Sequence, residues 1–166
     1  MTKRALVFSL MAAVLVMAGC AGMVVSQYAG KPAPEFRITL ATGEEVSLSQ
    51  FRGRPVVLGF GASWCAHCKA EIPALKAVHA KYGDRVALLI AVIRSPEAEV
   101  RSTIMQHNLR FMVGLDPESE VAKLYGVKGI PVTFFIDRNG IVAGDYFGEM
   151  TEGMLSDRID GLLEAR

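Results

Sequence analysis

Cysteine is scarce in this chain of 166 residues: three are present, at positions 20, 65 and 68. That count excludes a small disulfide-stapled scaffold and a zinc module built from two cysteine pairs. An excess of one charge is also missing. Lys and Arg number 18 against 17 Asp and Glu. This balance leaves no basic footprint for nucleic acid, so neither RNA nor DNA is expected as a partner. Internal repeats and low-complexity tracts are absent too. What is present is apolar: 51% of the residues are hydrophobic and 21% charged, which fills a core and excludes a disordered chain. The length suits one domain of ordinary size.

The first residues differ from the rest. Lys3 and Arg4 precede an apolar run from Ala5 to Ala18, broken only by Ser9, and then Gly19 and Cys20. A basic start, an apolar stretch and small residues before a cut site predict a secretory signal over residues 1–19. Met17–Ala18–Gly19–Cys20 resembles the lipobox of bacterial lipoproteins, with Met17 where Leu is usual; Cys20 would then be lipidated as the mature N-terminus. An uncleaved helical anchor is the alternative, since Ala5 to Val25 is about long enough to cross a bilayer. Both readings put the folded part on the periplasmic or extracellular face of a bacterial membrane, tethered to it. Cleavage removes two basic residues and no acidic one, so the small positive excess belongs to the signal. Residues 20–34, with two prolines among small residues, read as a tether to a domain spanning 35–166.

With Cys20 assigned to the signal, Cys65 and Cys68 remain. In an oxidising compartment such thiols pair. A two-residue spacing closes so small a loop that the bond would stabilise little, so the pair points to chemistry.

Along the domain, Phe36–Leu40 and Val46–Leu48 flank a turn and read as a small hairpin. Pro55–Phe60 is a continuous apolar run of buried-strand length. Ala66–Tyr82 has helical character and ends at Gly83, a C-cap. Arg85–Ile93 is a second buried strand, because its apolar residues do not alternate. Pro96–Asn108 begins with a proline suited to a first helical turn. Phe111–Leu115 reads as a short strand and Pro117–Tyr125 as a short helix. Val132–Asp137 and Ile141–Phe147 are strands joined at Arg138–Asn139–Gly140, an Asn-Gly hairpin signal. Thr151 caps a last amphipathic helix to Glu164. The alternation predicts an α/β fold whose parallel core sheet is covered by helices, with antiparallel edge strands from the late hairpin.

Cys65 follows a buried strand and opens a helix. There the unpaired N–H groups and the positive end of the helix dipole stabilise a thiolate, the form that attacks disulfides. His67 lies between the two sulfurs, where an imidazolium adds positive potential. Such neighbours lower a thiol from about 8.5 to between about 3.5 and 7.5. Cys68, one turn on, is expected deeper in the domain as the thiol that resolves a mixed disulfide. Covalent haem attachment needs Cys-x-x-Cys-His; Lys69 occupies the last position. His79 and His107 read as solvated surface residues, and no metal site or cofactor beyond a Cys65–Cys68 disulfide is expected.

The segment from Gly61 through Trp64–Cys65–Ala66–His67–Cys68 to Pro73 resembles the active-site stretch of membrane-tethered thioredoxin-like proteins of the TlpA/ResA type. Gly30–Phe36, Val46–Pro55 and Tyr125–Phe134 are similar to the same family, and the likeness covers nearly all of residues 30–160. It implies a thioredoxin-like fold with a mixed sheet. It also implies a thiol:disulfide oxidoreductase acting on protein thiols, more often as a reductant, fed by a membrane electron donor. Apocytochrome c thiols or a metallochaperone are the substrate examples that follow. By the same resemblance Trp64 forms an apolar lip and Pro131, after Ile130, is a cis-proline packing against the disulfide. Pro73 bends the active-site helix, and Glu71 tunes the cysteines.

The departures matter as well. Gly59 stands six residues before Cys65, where cytosolic thioredoxins carry an acid, so the role of buried proton acceptor moves to Glu71. His67 replaces the proline of reducing members and leaves the direction of electron flow open. Two other activities fit the same residues: a Cu(I)-binding metallochaperone, since soft thiolates suit that ion, and a thiol peroxidase. For copper no third ligand is evident. For a peroxidase, Ala62 stands where a threonine is expected.

Overall fold

A computed structural model describes residues 27–165. The expected signal peptide and Cys20 lie outside the described residues, as does the first part of the expected tether. Among the described residues no helix is long and apolar enough to cross a membrane.

All six residues of β3 (Val56–Gly61) are buried. Strand β4 (Ala87–Ile93) pairs parallel to it on one side, and β6 (Val132–Ile136) antiparallel on the other. A strand covered on both faces has no polar face to present, which is why its sequence is a run rather than an alternation. Beyond β4 lies β5 (Met112–Asp116), parallel, then β1 (Arg37–Leu40) and β2 (Glu45–Ser47), both antiparallel to their neighbours; β7 (Val142–Phe147) closes the other side. The order is β2-β1-β5-β4-β3-β6-β7. The late hairpin was expected at an edge, yet β6 is interior and wholly buried; of its two strands β7 alone lies at an edge. The pairing Thr39↔Leu115 and Leu40↔Gly114 draws the N-terminal hairpin into the same sheet.

The helices are α1 (Ala66–Tyr82), α2 (Glu97–His107), α3 (Glu120–Leu124) and α4 (Glu152–Glu164). Alternate strand residues feed two cores, as the two-residue period of a strand requires. Val57, Leu88 and Phe135 pack with Leu75 and Val78 of α1 and with Leu155 and Ile159 of α4. Leu58, Leu89 and Phe134 face the opposite way, toward Phe36, Val121 and Tyr125. The Tyr125 ring lies 5.1 Å from Phe134, 5.7 Å from Phe60 and 6.0 Å from Phe36. Its hydroxyl donates to the Pro34 carbonyl at 2.8 Å.

Two local details depart from sequence expectation. Helix α3 is shorter than residues 117–125, because Asp116 turns its carboxylate onto the N–H groups of Glu120, Val121 and Ala122 and starts the helix there. The end of the expected tether is also seated on the domain. Ala33 is buried, and Gly30 and Ala33 donate to the carbonyls of Val142 and Gly140 at the β7 edge. At the Asn139–Gly140 turn, Asp137 Oδ1 accepts from Asn139 and Ile141, each at 2.8 Å, and Gly140 takes φ 77° as glycine readily does.

Leu89 is fully buried in the central β4. Leu89→Ala should cost about 2–5 kcal/mol, read as a lower urea midpoint with an unchanged slope.

Candidate active site

Strand β3 delivers the chain to the site. After Gly61, the Cys65 N–H donates to the Ala62 carbonyl at 3.1 Å and turns the chain into α1. Cys65 is the N-cap of that helix. Its Sγ accepts the Cys68 N–H at 3.2 Å, the role a serine or threonine oxygen commonly plays. Cys65 and Cys68 are disulfide-bonded, with their Cα atoms 5.3 Å apart. On the sheet side, Cys68 rests against Gly61, where an added Cβ would stand 3.5 Å from the Cys68 sulfur. An apolar cavity of about 70 Å³, lined by Ile72, Ile90, Val92 and Phe111, adjoins both residues.

Cys68 was expected to be the deeper of the two. Taken as whole residues, Cys65 is buried and Cys68 only partly so. The turn from Ala62 folds Cys65 into the domain, while Cys68 stands on the first turn of the helix. What distinguishes Cys65 is electrostatic: its sulfur faces a helix N-terminus and takes a hydrogen bond from it.

The β4–α2 connection holds the loop before Cys65. The Ser63 N–H donates to Ser95 Oγ at 2.9 Å, and the Ser63 hydroxyl donates to Glu99 Oε2 at 2.6 Å. Trp64 Nε1 donates to the Arg94 carbonyl at 3.0 Å, and the Arg94 guanidinium lies 5.7 Å from the Trp64 ring centroid. Trp64 is 56% exposed, a lip beside the disulfide rather than a core side chain. Ser63, Arg94, Ser95 and Glu99 were not identified from sequence; the only signal, a serine pair at 63 and 95, carries no spacing that links them.

The Ile130–Pro131 bond is cis, as the family likeness implies. Since Phe60 pairs with Val132, the register carried one step on sets Pro131 beside Gly61, the residue whose face Cys68 covers. The Pro131 carbonyl accepts the Gly148 N–H at 2.8 Å. Ile130 is partly buried against the same core as Cys68.

Helix α1 continues through Pro73 to Tyr82 and carries Glu71 on its buried face, 5% exposed. Glu71 Oε1 accepts the Met150 N–H at 2.9 Å, and among the described residues no cation pairs with it. Burial pushes its carboxyl up to about 7; the Met150 hydrogen bond opposes this and the nearby Glu149 carboxylate adds to it. Glu149 Oε2 in turn lies 3.2 Å from Nδ1 of His67, which is exposed. His67 is thus turned toward an acid at the exposed surface. At position 59 the space an acid would need is taken by Ile90, whose Cδ1 would stand 2.6 Å from a Cβ there. His79, expected at the surface, is half-buried with its ring edge-on to Phe111 at 6.1 Å; His107 is exposed. Among the described residues no group of three or more His, Cys, Asp or Glu is placed to hold a metal ion.

Glu71 ionises near 4.5 when unfolded and near 7 in the fold. Across that window the unfolded chain binds fewer protons, so this group lowers stability as pH rises from about 4.5 to about 7. Glu71→Gln should remove this loss: its stability relative to wild type should grow across the same window, as measured by urea midpoints at successive pH values.

Residues 29–144 match the AhpC/TSA family. The thiol-disulfide oxidoreductase ResA of Bacillus cereus is 30% identical over 95% of this chain and 96% of its own. The thioredoxin-like protein YneN of Bacillus subtilis is 30% identical over 79% of this chain and 78% of its own. Among solved structures, a candidate thiol:disulfide interchange protein DsbE of Chlorobium tepidum aligns with TM-score 0.76 at 33% identity, covering 81% of this chain and 97% of that one. With the thioredoxin-like fold and the Cys65–Cys68 disulfide in place, these likenesses make the chain a member of the AhpC/TSA family and a thiol-disulfide oxidoreductase.

Proposed function

We propose that the Cys65–Cys68 pair reduces disulfides of partner proteins outside the cytoplasm. The observation that carries the exchange reaction at this pair is the capping of the Cys65 sulfur by the Cys68 N–H at the start of α1. That geometry favours a thiolate on Cys65 in the reduced protein. The thiolate attacks one sulfur of the substrate disulfide, forming a mixed disulfide and releasing the other substrate sulfur as a thiolate, which takes a proton from water. Cys68 then loses its proton and attacks the Cys65 sulfur, releasing the second substrate thiol and leaving the Cys65–Cys68 disulfide. Two electrons pass to the substrate.

Glu71, one turn beyond Cys68 with its carboxyl raised to about 7, is suited to accept that proton near neutral pH. Trp64, Ile130 and Pro131 form the surface on which the substrate chain lies, with His67 on its far rim. Return to the dithiol state requires a donor on the same side of the membrane, and a membrane electron donor fits that need. The domain would be held there by a lipid on Cys20 or by an uncleaved N-terminal helix; the alignment with ResA over 95% of this chain extends into that region. Apocytochrome c or metallochaperone thiols are substrates of the right chemistry.

Cys65→Ser should abolish disulfide exchange, while Cys68→Ser should accumulate a mixed disulfide with substrate, visible on a non-reducing gel. A Cys65→Ser variant with unchanged exchange would refute the mechanism. The direction is read from the Cys65–Cys68 reduction potential. A value near that of thioredoxin, about −270 mV, marks a reductant, whereas one near about −120 mV marks an oxidant.

A further inference from the structure

Next to the disulfide, where β4 and β5 end, the surface opens into a groove of about 370 Å³. The carboxyl ends of parallel strands are where open α/β sheets take their ligands. Ile93 and Arg94 line it from β4, the turn at Glu118 from β5, Ala122 and Lys123 from α3, and Lys128 and Ile130 from the loop that ends at Pro131.

Two of the residues that line the groove lead to the disulfide. Ile130 precedes the cis-proline, which the sheet register sets beside Gly61, the residue whose face Cys68 covers. Arg94 lies against Trp64, the residue before Cys65. A substrate chain seated at Pro131 therefore passes its flanking residues over this groove.

Its charge is one-sided. Arg94, Lys123 and Lys128 are exposed along it, against the single carboxylate of Glu118. Among the described residues none of the three cations is paired with a carboxylate. The Lys123 ammonium instead donates to the Glu118 carbonyl at 2.9 Å, which holds it at the rim. Acids elsewhere around the site are already engaged: Glu71 is buried and accepts from Met150, Glu99 accepts from Ser63, and Glu149 faces His67. Apolar residues on the floor, Ile93, Ala122 and Ile130, give a chain something to lie on beneath the charges.

We propose that this groove receives an acidic stretch of the partner protein flanking its reactive cysteine, and that it selects substrates by that charge. The proposal rests on the exchange reaction above and names the substrate class for it. Exposed charges of this kind act chiefly on the encounter rate, and they weaken as salt rises.

The test uses the reduced full-length protein and three peptides with the same intramolecular Cys-x-x-Cys disulfide, flanked by aspartates, serines or lysines. Neutral 2,2′-dithiodipyridine serves as the reference disulfide. Wild type should reduce the aspartate peptide about tenfold faster than the lysine peptide at low salt, with the gap closing at high salt. A Lys123→Glu, Lys128→Glu double variant should reverse that ranking while leaving the serine peptide and dithiodipyridine unchanged. Equal rates for the three peptides, alongside fast reduction of dithiodipyridine, would overturn the groove and leave the exchange reaction standing. A double variant that keeps the wild-type ranking would overturn it equally. Failure to reduce dithiodipyridine or any peptide would overturn the exchange reaction and the groove together.

Discussion

The hydrogen bond from the Cys68 N–H to the Cys65 sulfur is the interaction on which the site depends. It is a helix cap, and in the proposed exchange it would also stabilise charge on the reduced Cys65 sulfur. Capping begins α1 at Ala66, which fixes where every later residue of that helix points, and Glu71 in particular. In the proposed exchange, a thiolate so placed would make Cys65 the attacking sulfur although its residue is the more buried of the two. The loop from Ala62 to Trp64 that leads into Cys65 is tied by Ser63 to Ser95 and Glu99 and by Trp64 to Arg94. Helix start, sulfur chemistry and the β4–α2 connection are therefore one mechanical unit.

Glu71 shows the opposite arrangement, a charge the fold does not want. It is buried with one backbone N–H as compensation, and the acid nearby, Glu149, makes ionisation harder. A carboxyl so placed costs stability when ionised, which is tolerable where proton transfer near neutral pH is needed. The glycine at 59 belongs to the same logic. Ile90 fills the space behind it and would have to shift for any side chain there, and the buried carboxyl of this site stands on the helix instead of the strand.

Most of the fold was legible because its signals are local. Continuous apolar runs marked β3 and β4, Asn139–Gly140 marked a turn, Thr151 marked a cap, and the spacing of Cys65 and Cys68 marked the site. What could not be read joins residues far apart in the chain. Pairing of β1 with β5 brings together Leu40 and Gly114; Glu71 finds Met150, and His67 finds Glu149. No periodicity encodes such partners, since each is set by how elements stack after they form. The half-buried His79 is the same lesson on a smaller scale: a lone histidine on a helix gives no sign of which neighbour will cover it.

Charge around the disulfide is therefore divided rather than uniform. His67, read from sequence as a source of positive potential inside the Cys-x-x-Cys loop, is turned outward to Glu149, while Arg94, Lys123 and Lys128, which pair with no carboxylate among the described residues, gather along the groove. The helix N-terminus acts on the sulfur at hydrogen-bond distance, whereas the exposed His67 acts through solvent that screens it. In the proposed exchange, thiolate stabilisation would accordingly come from the backbone, leaving the side chains around the rim to act on whatever approaches. A protein built this way can change its partners by altering rim residues without disturbing the geometry that moves the electrons.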